Sequence, residues 1–380
     1  MDFELTEEQR MVKEAAADFA KNSLMPKAQE FDEKEEIPED TYKELASLGY
    51  MGIMLPEEFG GSNFDFISYI LVMEEFAKAC AGLQIALSVH NSLVCEAILK
   101  FGNPDQKKKY LPSLARGEKI GAYSLTEPGS GTDAGSLRTT AVLQGDHYLL
   151  NGTKTFVTNG GIADLFVVFV STNPELKSKG ISCLLVEKGA EGFNVGAKEK
   201  KMGIKGSDTR ELSFADCKIP KENLLGEENK GFRIALTLLD PSRIAVGAQS
   251  VGIAQAAFEE ALKYSKERVQ FGQPICNFQA IAFKLADIAT EIDAARLLIY
   301  RAASIHSKGI RCSREAAMAK LYASEVANRV VNEAVQIHGG YGYMKEYPVE
   351  RYFRDARVTE IYEGTSEAQR IVISRHLLKE

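Results

Sequence analysis

This 380-residue sequence is short of the residue patterns that build a metal centre or a disulfide framework. Its six cysteines (Cys80, Cys95, Cys183, Cys217, Cys276 and Cys312) are scattered, with no C-x-x-C pair. That usage fits reduced thiols in a cytosolic protein and carries no zinc signature. The five histidines are equally dispersed and form no H-E-x-x-H, so a metal site has no support. Positive charge is also in deficit. A net charge of −7 excludes nucleic acid as an expected partner, because phosphate binding needs a dense basic face. The one basic cluster, Lys107–Lys109, lies beside Asp105 and Tyr110 and reads as a solvated helix face. No uncharged apolar run approaches membrane-spanning length, so membrane insertion is not expected. Met1-Asp2-Phe3-Glu4 has no basic or apolar leader character, and Leu378-Lys379-Glu380 is no peroxisomal address. A soluble, cytoplasmic protein is expected.

Apolar residues make up 45% and charged residues 26%, which suits a large globular chain of two or three lobes. The first stretch reads as helices. Thr6-Glu7-Glu8-Gln9 has capping-box spacing ahead of Val12, Ala15, Ala16 and Phe19 at helical period. Pro38 opens a second helix that Gly49 closes. Further apolar helical patterns cover 67–79 and 83–101, and the last ends near Arg116-Gly117. From about Ile120 to Pro220 the period changes to short Val/Thr/Phe/Ile runs, at 138–143, 148–150, 154–158, 165–170 and 181–186. Asn151-Gly152 and Asn159-Gly160 read as turn dipeptides between them. Connections this short imply mostly antiparallel pairing. Long helices follow at 243–268, 278–308 and 313–338, with a short one at 367–377. The fold class is α+β multidomain: an N-terminal helical domain (1–119), an antiparallel β-sheet or barrel domain (120–229) and a C-terminal four-helix-type bundle (230–380).

Five motifs stand out, and each has a bland reading. Gly129, Gly131 and Ala134, within Tyr123–Asp133, fit a loose G-x-G-x-x-A. A dinucleotide site needs a helix after the glycines, and Ser136–Leu143 reads as strand, so NAD is disfavoured. The loop is either a plain hairpin or a set of amides facing a phosphate or flat ring. Thr155–Gly161 ends a strand, with Phe156 either in the core or against a planar cofactor. Arg268-Val269-Gln270-Phe271-Gly272, with Gln279 beyond, places a cation at a helix C-terminus, where it satisfies the dipole or contacts a phosphate. Gln336-Ile337-His338-Gly339-Gly340 is a C-cap or a place of close backbone approach. Finally, Glu363 in Ile361–Glu367 precedes a helix that Ser366 and Gln369 would cap. On position alone it is structural, yet beside Gly364 it suits a base that must reach a flat substrate.

Each motif is weak alone, but their order within a helical–β–helical frame is specific. Over essentially its whole length the chain resembles the acyl-CoA dehydrogenase family, and most closely its short-chain members. The resemblance implies FAD held by Tyr123, Leu125, Thr126, Gly131, Thr132, Phe156, Thr158, Arg268, Phe271, Gln279, Thr365 and Glu367. Gln336, Gly339 and Gly340 would reach FAD from a neighbouring subunit, in a homotetramer. Many relatives carry Trp at Phe156, and this sequence has none. Thr132, Asp240, Arg243, Tyr362 and Gly364 match acyl-CoA contacts, and Glu363 matches the catalytic base. Isovaleryl-type relatives take their base from the position before the arginine of D-x-x-R, which here is Ser242 and no carboxylate.

The implied reaction is removal of the α-proton by Glu363 as a hydride leaves Cβ for the flavin, giving a trans-2-enoyl-CoA. Electrons would pass to an electron-transfer flavoprotein. An acyl-CoA oxidase using O₂ is the second enzyme reading, disfavoured because no further helical domain follows Leu377. Short branched acyl groups are an alternative substrate. A catalytically silent flavin-binding scaffold is the alternative of another class, and retention of Glu363 argues against it.

Overall fold

In the computed structural model, residues 4–378 are described; Met1–Phe3 and Lys379–Glu380, read above for targeting signals, lie outside them. Helix α1 (Glu7–Phe19) starts on the expected capping box, with the Thr6 hydroxyl taking the Gln9 amide and the Gln9 side chain returning to the Thr6 amide. Helices α2 (Ala28–Lys34), α3 (Glu39–Ser47) and α4 (Phe66–Ala79) follow. α5 (Ala81–Ser88), a π-helical stretch and α6 (Glu96–Phe101) then run on as one helix, before α7 (Pro104–Ala115). The run Ala81–Phe101 corrects an expectation: it is long and apolar enough to span a membrane. Its apolar window is 89% buried inside the protein, so it is a core helix.

A seven-stranded sheet comes next: β1 (Gly121–Ser124), β2 (Thr140–Gln144), β3 (His147–Thr158), β4 (Leu165–Ser171), β5 (Ile181–Glu187), β6 (Phe193–Lys198) and β7 (Thr209–Pro220). The pairs β2–β3, β3–β7, β4–β5 and β6–β7 are antiparallel, as expected. β1 and β4 are parallel, because the β2–β3 hairpin lies between them and supplies the long crossover. Asn151-Gly152 is no turn. It lies inside the single strand β3 opposite a bulge in β7, where the register shifts, and the Asn151 side-chain amide donates to Asp216 Oδ1 and accepts the Asp216 backbone amide. The β2–β3 turn is Gly145-Asp146, with Gly145 left-handed.

The last segment contains α8 (Gly231–Glu267), a small hairpin β8 (Val269–Gln270) and β9 (Gln273–Pro274), α9 (Gln279–Ser307), α10 (Ser313–His338), α11 (Val349–Ala356) and α12 (Ser366–Leu377). α8 begins twelve residues before the expected start and runs through Pro241. Thr237, whose carbonyl loses a donor to that proline, is exposed, so water is available to it. The sequence reading missed α11 altogether.

Alternation within β4 shows how the layers join. Leu165, Val167 and Phe169 pack into the large core shared by both helical segments, whereas Phe166, Val168 and Val170 fill a second core enclosed by the sheet. β5 divides in the same way, with Cys183 and Leu185 on the helical side and Leu184 and Val186 on the other. Both strands are therefore apolar without a break, as strands covered on two faces must be. Replacing Phe169 by alanine is expected to cost about 3–5 kcal/mol, read as a lowered denaturant midpoint with an unchanged slope.

Candidate active site

Polar groups gather where these layers meet. The segment after β1 is stapled to β3 by a buried ion pair, Lys154 Nζ to Glu127 Oε1 at 2.8 Å. Lys154 also donates to the Leu125 carbonyl at 3.0 Å, and Glu127 accepts the amides of Arg138 and Thr139 at 2.5 and 2.9 Å. The Thr155 amide donates to the Thr126 carbonyl at 2.9 Å. Burial lowers the Lys154 pKa to about 8, against the raising influence of Glu127. At Glu127 burial pushes upward, but the Lys154 charge and the hydrogen bonds from Lys154, Arg138 and Thr139 prevail and hold the pKa low.

This staple fixes a loop open to solvent. Glu127 and Ser130 exchange backbone hydrogen bonds at 3.0 Å around Pro128-Gly129. Gly129, Gly131 and Thr132 are exposed, and nothing lies within 4 Å of where a Cβ on either glycine would stand. A 3₁₀ turn, Ala134–Ser136, and then β2 follow, so no helix stands where a dinucleotide fold needs one. Phe156 departs from the core placement considered above: it is 68% exposed and left-handed (φ 57°), where the β3–β7 register shifts. Thr158, two residues on, is half-buried.

Glu363 stands where α8, α10 and the lead-in to α12 converge. It is left-handed (φ 55°), as is Gly364 (φ 93°). A Cβ on Gly364 would meet Gln369 Nε2 at 2.8 Å, so glycine is required there on two counts. Thr365 caps α12 by accepting the Ala368 amide, which corrects the expected Ser366–Gln369 box. Gln369 instead turns back, donating to the carbonyls of Glu363 at 3.1 Å and Gly364 at 2.8 Å. The Tyr362 hydroxyl donates to Gln249 of α8, whose amide holds the Ala81 carbonyl at 3.0 Å. Glu367 is exposed in the first turn of α12.

Burial raises the Glu363 pKa, and a hydrogen bond from Ser242 with the charges of Arg243 and Lys320 partly offsets this. Arg243 Nη1 pairs with Asp240 Oδ1 at 3.0 Å, and Asp240 accepts the Ser313 hydroxyl at 2.5 Å. The Tyr123 hydroxyl is buried without a partner, its pKa raised by loss of water and by Glu363. Buried hydroxyls of Ser124 and Ser366, and Nε of Arg243, are also unpartnered. Asp240 and Arg243 open onto a cleft of about 1230 Å³ whose rim carries Lys100, Lys230, Arg233, Arg311 and Arg375.

The remaining expected residues lie elsewhere in the chain. Arg268, Gly339 and Gly340 line a separate recess of about 500 Å³ that shares no lining residue with the first cleft. Arg268 lies over the Tyr341 ring at 5.6 Å, and Tyr264 stacks on His338 at 4.3 Å. Phe271 is 94% exposed and left-handed (φ 51°), while Gln279 and Gln336 are exposed. Within one chain, then, Tyr123, Asp240, Arg243 and Tyr362–Gly364 come together, and the Arg268–Gln279 and Gln336–Gly340 groups do not join them. The sequence reading missed Lys320, Gln369, Gln249 and the Lys154–Glu127 pair. A signal existed for Lys320: it occupies the apolar stripe Ala316, Ala319, Ala323 and Ala327 of α10.

The chain matches the acyl-CoA dehydrogenase N-terminal, middle and C-terminal domains over residues 6–118, 122–217 and 229–378. It belongs to the acyl-CoA dehydrogenase family. Among the chains it resembles is a short-chain specific acyl-CoA dehydrogenase of Clostridium acetobutylicum, 49% identical over the whole of both chains. The structure of butyryl-CoA dehydrogenase from Megasphaera elsdenii superposes with a TM-score of 0.97 at 49% identity, covering both chains fully. A chain from a structure described as the electron transferring flavoprotein of Acidaminococcus fermentans, directed at flavin-based electron bifurcation, gives 0.98 at 50% identity, again over both chains.

Lys154→Met is expected to destabilise the fold by about 3–5 kcal/mol, because it strands the buried Glu127 carboxylate. The double variant Lys154→Met/Glu127→Leu is expected to recover part of that loss in chemical denaturation, and additive losses would rule out the coupling.

Proposed function

We propose that this protein is an FAD-dependent dehydrogenase of short-chain acyl-CoA thioesters, with Glu363 as the base. The observation that carries the reading is a half-buried carboxylate on a left-handed turn, faced by Ser242, Arg243 and Lys320 where three segments converge. Flavin fits the residues present. Phe156 offers an aromatic face from a fixed strand end, the exposed backbone of Gly129, Gly131 and Thr132 suits phosphate, and the Tyr123 and Ser124 hydroxyls await partners. Leu125, Thr126, Thr158, Thr365 and Glu367 complete that lining. FAD, when bound, supplies the acceptor for the two electrons and the hydrogen that leave Cβ.

The protein's own residues do the rest. The cationic rim of the cleft draws in the phosphates of the CoA head although the chain as a whole is negative. Asp240 and Arg243, fixed to one another, position the thioester end. In this reading the Glu363 amide polarises the thioester carbonyl as charge develops on it. Entry of the acyl chain removes further water from Glu363, which strengthens it as a base towards the α-proton.

Relatives of the short-chain and butyryl type support a short acyl group, and an electron-transferring flavoprotein is the matching electron acceptor. Phe271, Gln279, Gln336, Gly339 and Gly340 lie too exposed in one chain to act alone, and half-buried Arg268 lines the same separate recess as Gly339 and Gly340, which supports a cofactor shared across a homotetramer. Exposed Phe283, Leu297 and Leu377 supply apolar surface for such contacts.

Anaerobic addition of butyryl-CoA is expected to bleach the flavin of the wild type, while Glu363→Gln binds both ligands and turns over at least about 10²–10⁴-fold more slowly. A normally active Glu363→Gln overturns the assignment, and hydrogen peroxide formed stoichiometrically in air would favour an oxidase. The base must be ionised, and burial raises its pKa. The acid limb of kcat/KM therefore falls above the ordinary glutamate value of about 4.3, and activity drops as pH decreases through it.

A further inference from the structure

Lys320 is a lysine with no exposed surface and, among the described residues, no carboxylate within salt-bridge distance. Its ammonium donates instead to the Gly364 carbonyl at 2.8 Å. That carbonyl also accepts Gln369 Nε2 at 2.8 Å, and the same amide nitrogen reaches the Glu363 carbonyl at 3.1 Å. Two consecutive left-handed residues, the first of them a glutamate, are thus gripped from behind by one side chain of α10 and one of α12. A non-glycine residue in this conformation costs about 1–3 kcal/mol and persists only where its surroundings hold it. Burying an ammonium is costlier still, and an apolar residue would extend the alanine stripe of α10 at no such cost.

We propose that Lys320 is a positioning residue for the base: it clamps the Glu363–Gly364 turn through the Gly364 carbonyl and brings positive charge to the carboxylate at neutral pH. It does so without touching substrate or flavin. The groups facing Glu363 are Ser242 and Arg243 from α8, Tyr123 from β1, Tyr69 from α4, neighbouring Tyr362, and Lys320 from α10. Lys320 in turn faces Glu363, Arg243, Glu360 and Glu367. Among the described residues only Arg243 and Lys320 bring positive charge to the carboxylate, and Arg243 is already committed to Asp240. Without Lys320, burial would act on Glu363 less opposed, leaving more of the base protonated at neutral pH.

The inference rests on Glu363 being the base, and the test separates the two. FAD-loaded wild type, Lys320→Met, Lys320→Arg and Glu363→Gln are compared for flavin content, thermal midpoint, kcat and KM across pH. The Glu363 carboxyl is titrated in parallel by infrared difference spectroscopy against Glu363→Gln, a readout that needs no turnover. Lys320→Met is expected to retain flavin and KM and lose kcat at neutral pH. Its acid limb and carboxyl titration should both move up by about one pH unit, on the scale of one nearby charge. Lys320→Arg should restore the limb. An unmoved carboxyl titration in Lys320→Met overturns the proposal, whatever happens to kcat. If Lys320→Met does not fold, Lys320→Arg decides alone: a limb displaced as far as one unit despite retained charge overturns it. Normal turnover by Glu363→Gln sinks the base assignment instead.

Discussion

Covering β4 and β5 on both faces is the constraint from which the site follows. A strand apolar on each side has nowhere along its length for a functional polar group, so such groups are driven to strand ends and the loops beyond them. Tyr123 and Ser124 end β1, and Phe156 and Thr158 end β3. These ends would be mobile without an internal tie, and the Lys154–Glu127 pair is that tie. Its charges are balanced against each other and against two amides, so it holds the Leu125–Glu127 segment without leaving a buried group unpaired.

The second theme is charge held out of water in measured opposition. Desolvation raises Glu363, and Ser242, Arg243 and Lys320 pull it back. For the base proposed here, neither influence alone serves at neutral pH. Full burial without cations would leave the carboxyl protonated, and full solvation would leave it weak. Helices α8 and α10 supply the cations from fixed positions on rigid elements, so the balance is set before substrate arrives.

Backbone strain falls on the same map only in part, since Glu35, Asn63, Lys177, Ile204, Asp216 and Asn229 are also left-handed and lie outside the site motifs. Phe156, Phe271 and Glu363 are all non-glycine residues with positive φ, and each lies in a motif singled out for function. Each left-handed residue redirects its side chain out of the regular path of a strand, hairpin or helix lead-in. Bulk at Phe156 and Phe271 is thereby presented outward rather than packed away.

The sequence by itself determined the helical–β–helical order, the limits of α10, the Thr6 cap and the order of motifs that marks the family, because periodicity and capping are local and the motif set is distinctive. Only the tertiary structure decided the rest. Asn151-Gly152 continues a strand rather than forming a turn because β7 pairs on both sides of it, and Pro241 stays within α8 because packing and water outweigh its local preference. Lys320 shows in the sequence only as a lysine within an apolar stripe, and its role stays hidden until the carbonyl it meets, forty-four residues away, is brought against it. Local propensity depends on neighbours along the chain, whereas the energy of a buried charge depends on whatever the fold places beside it.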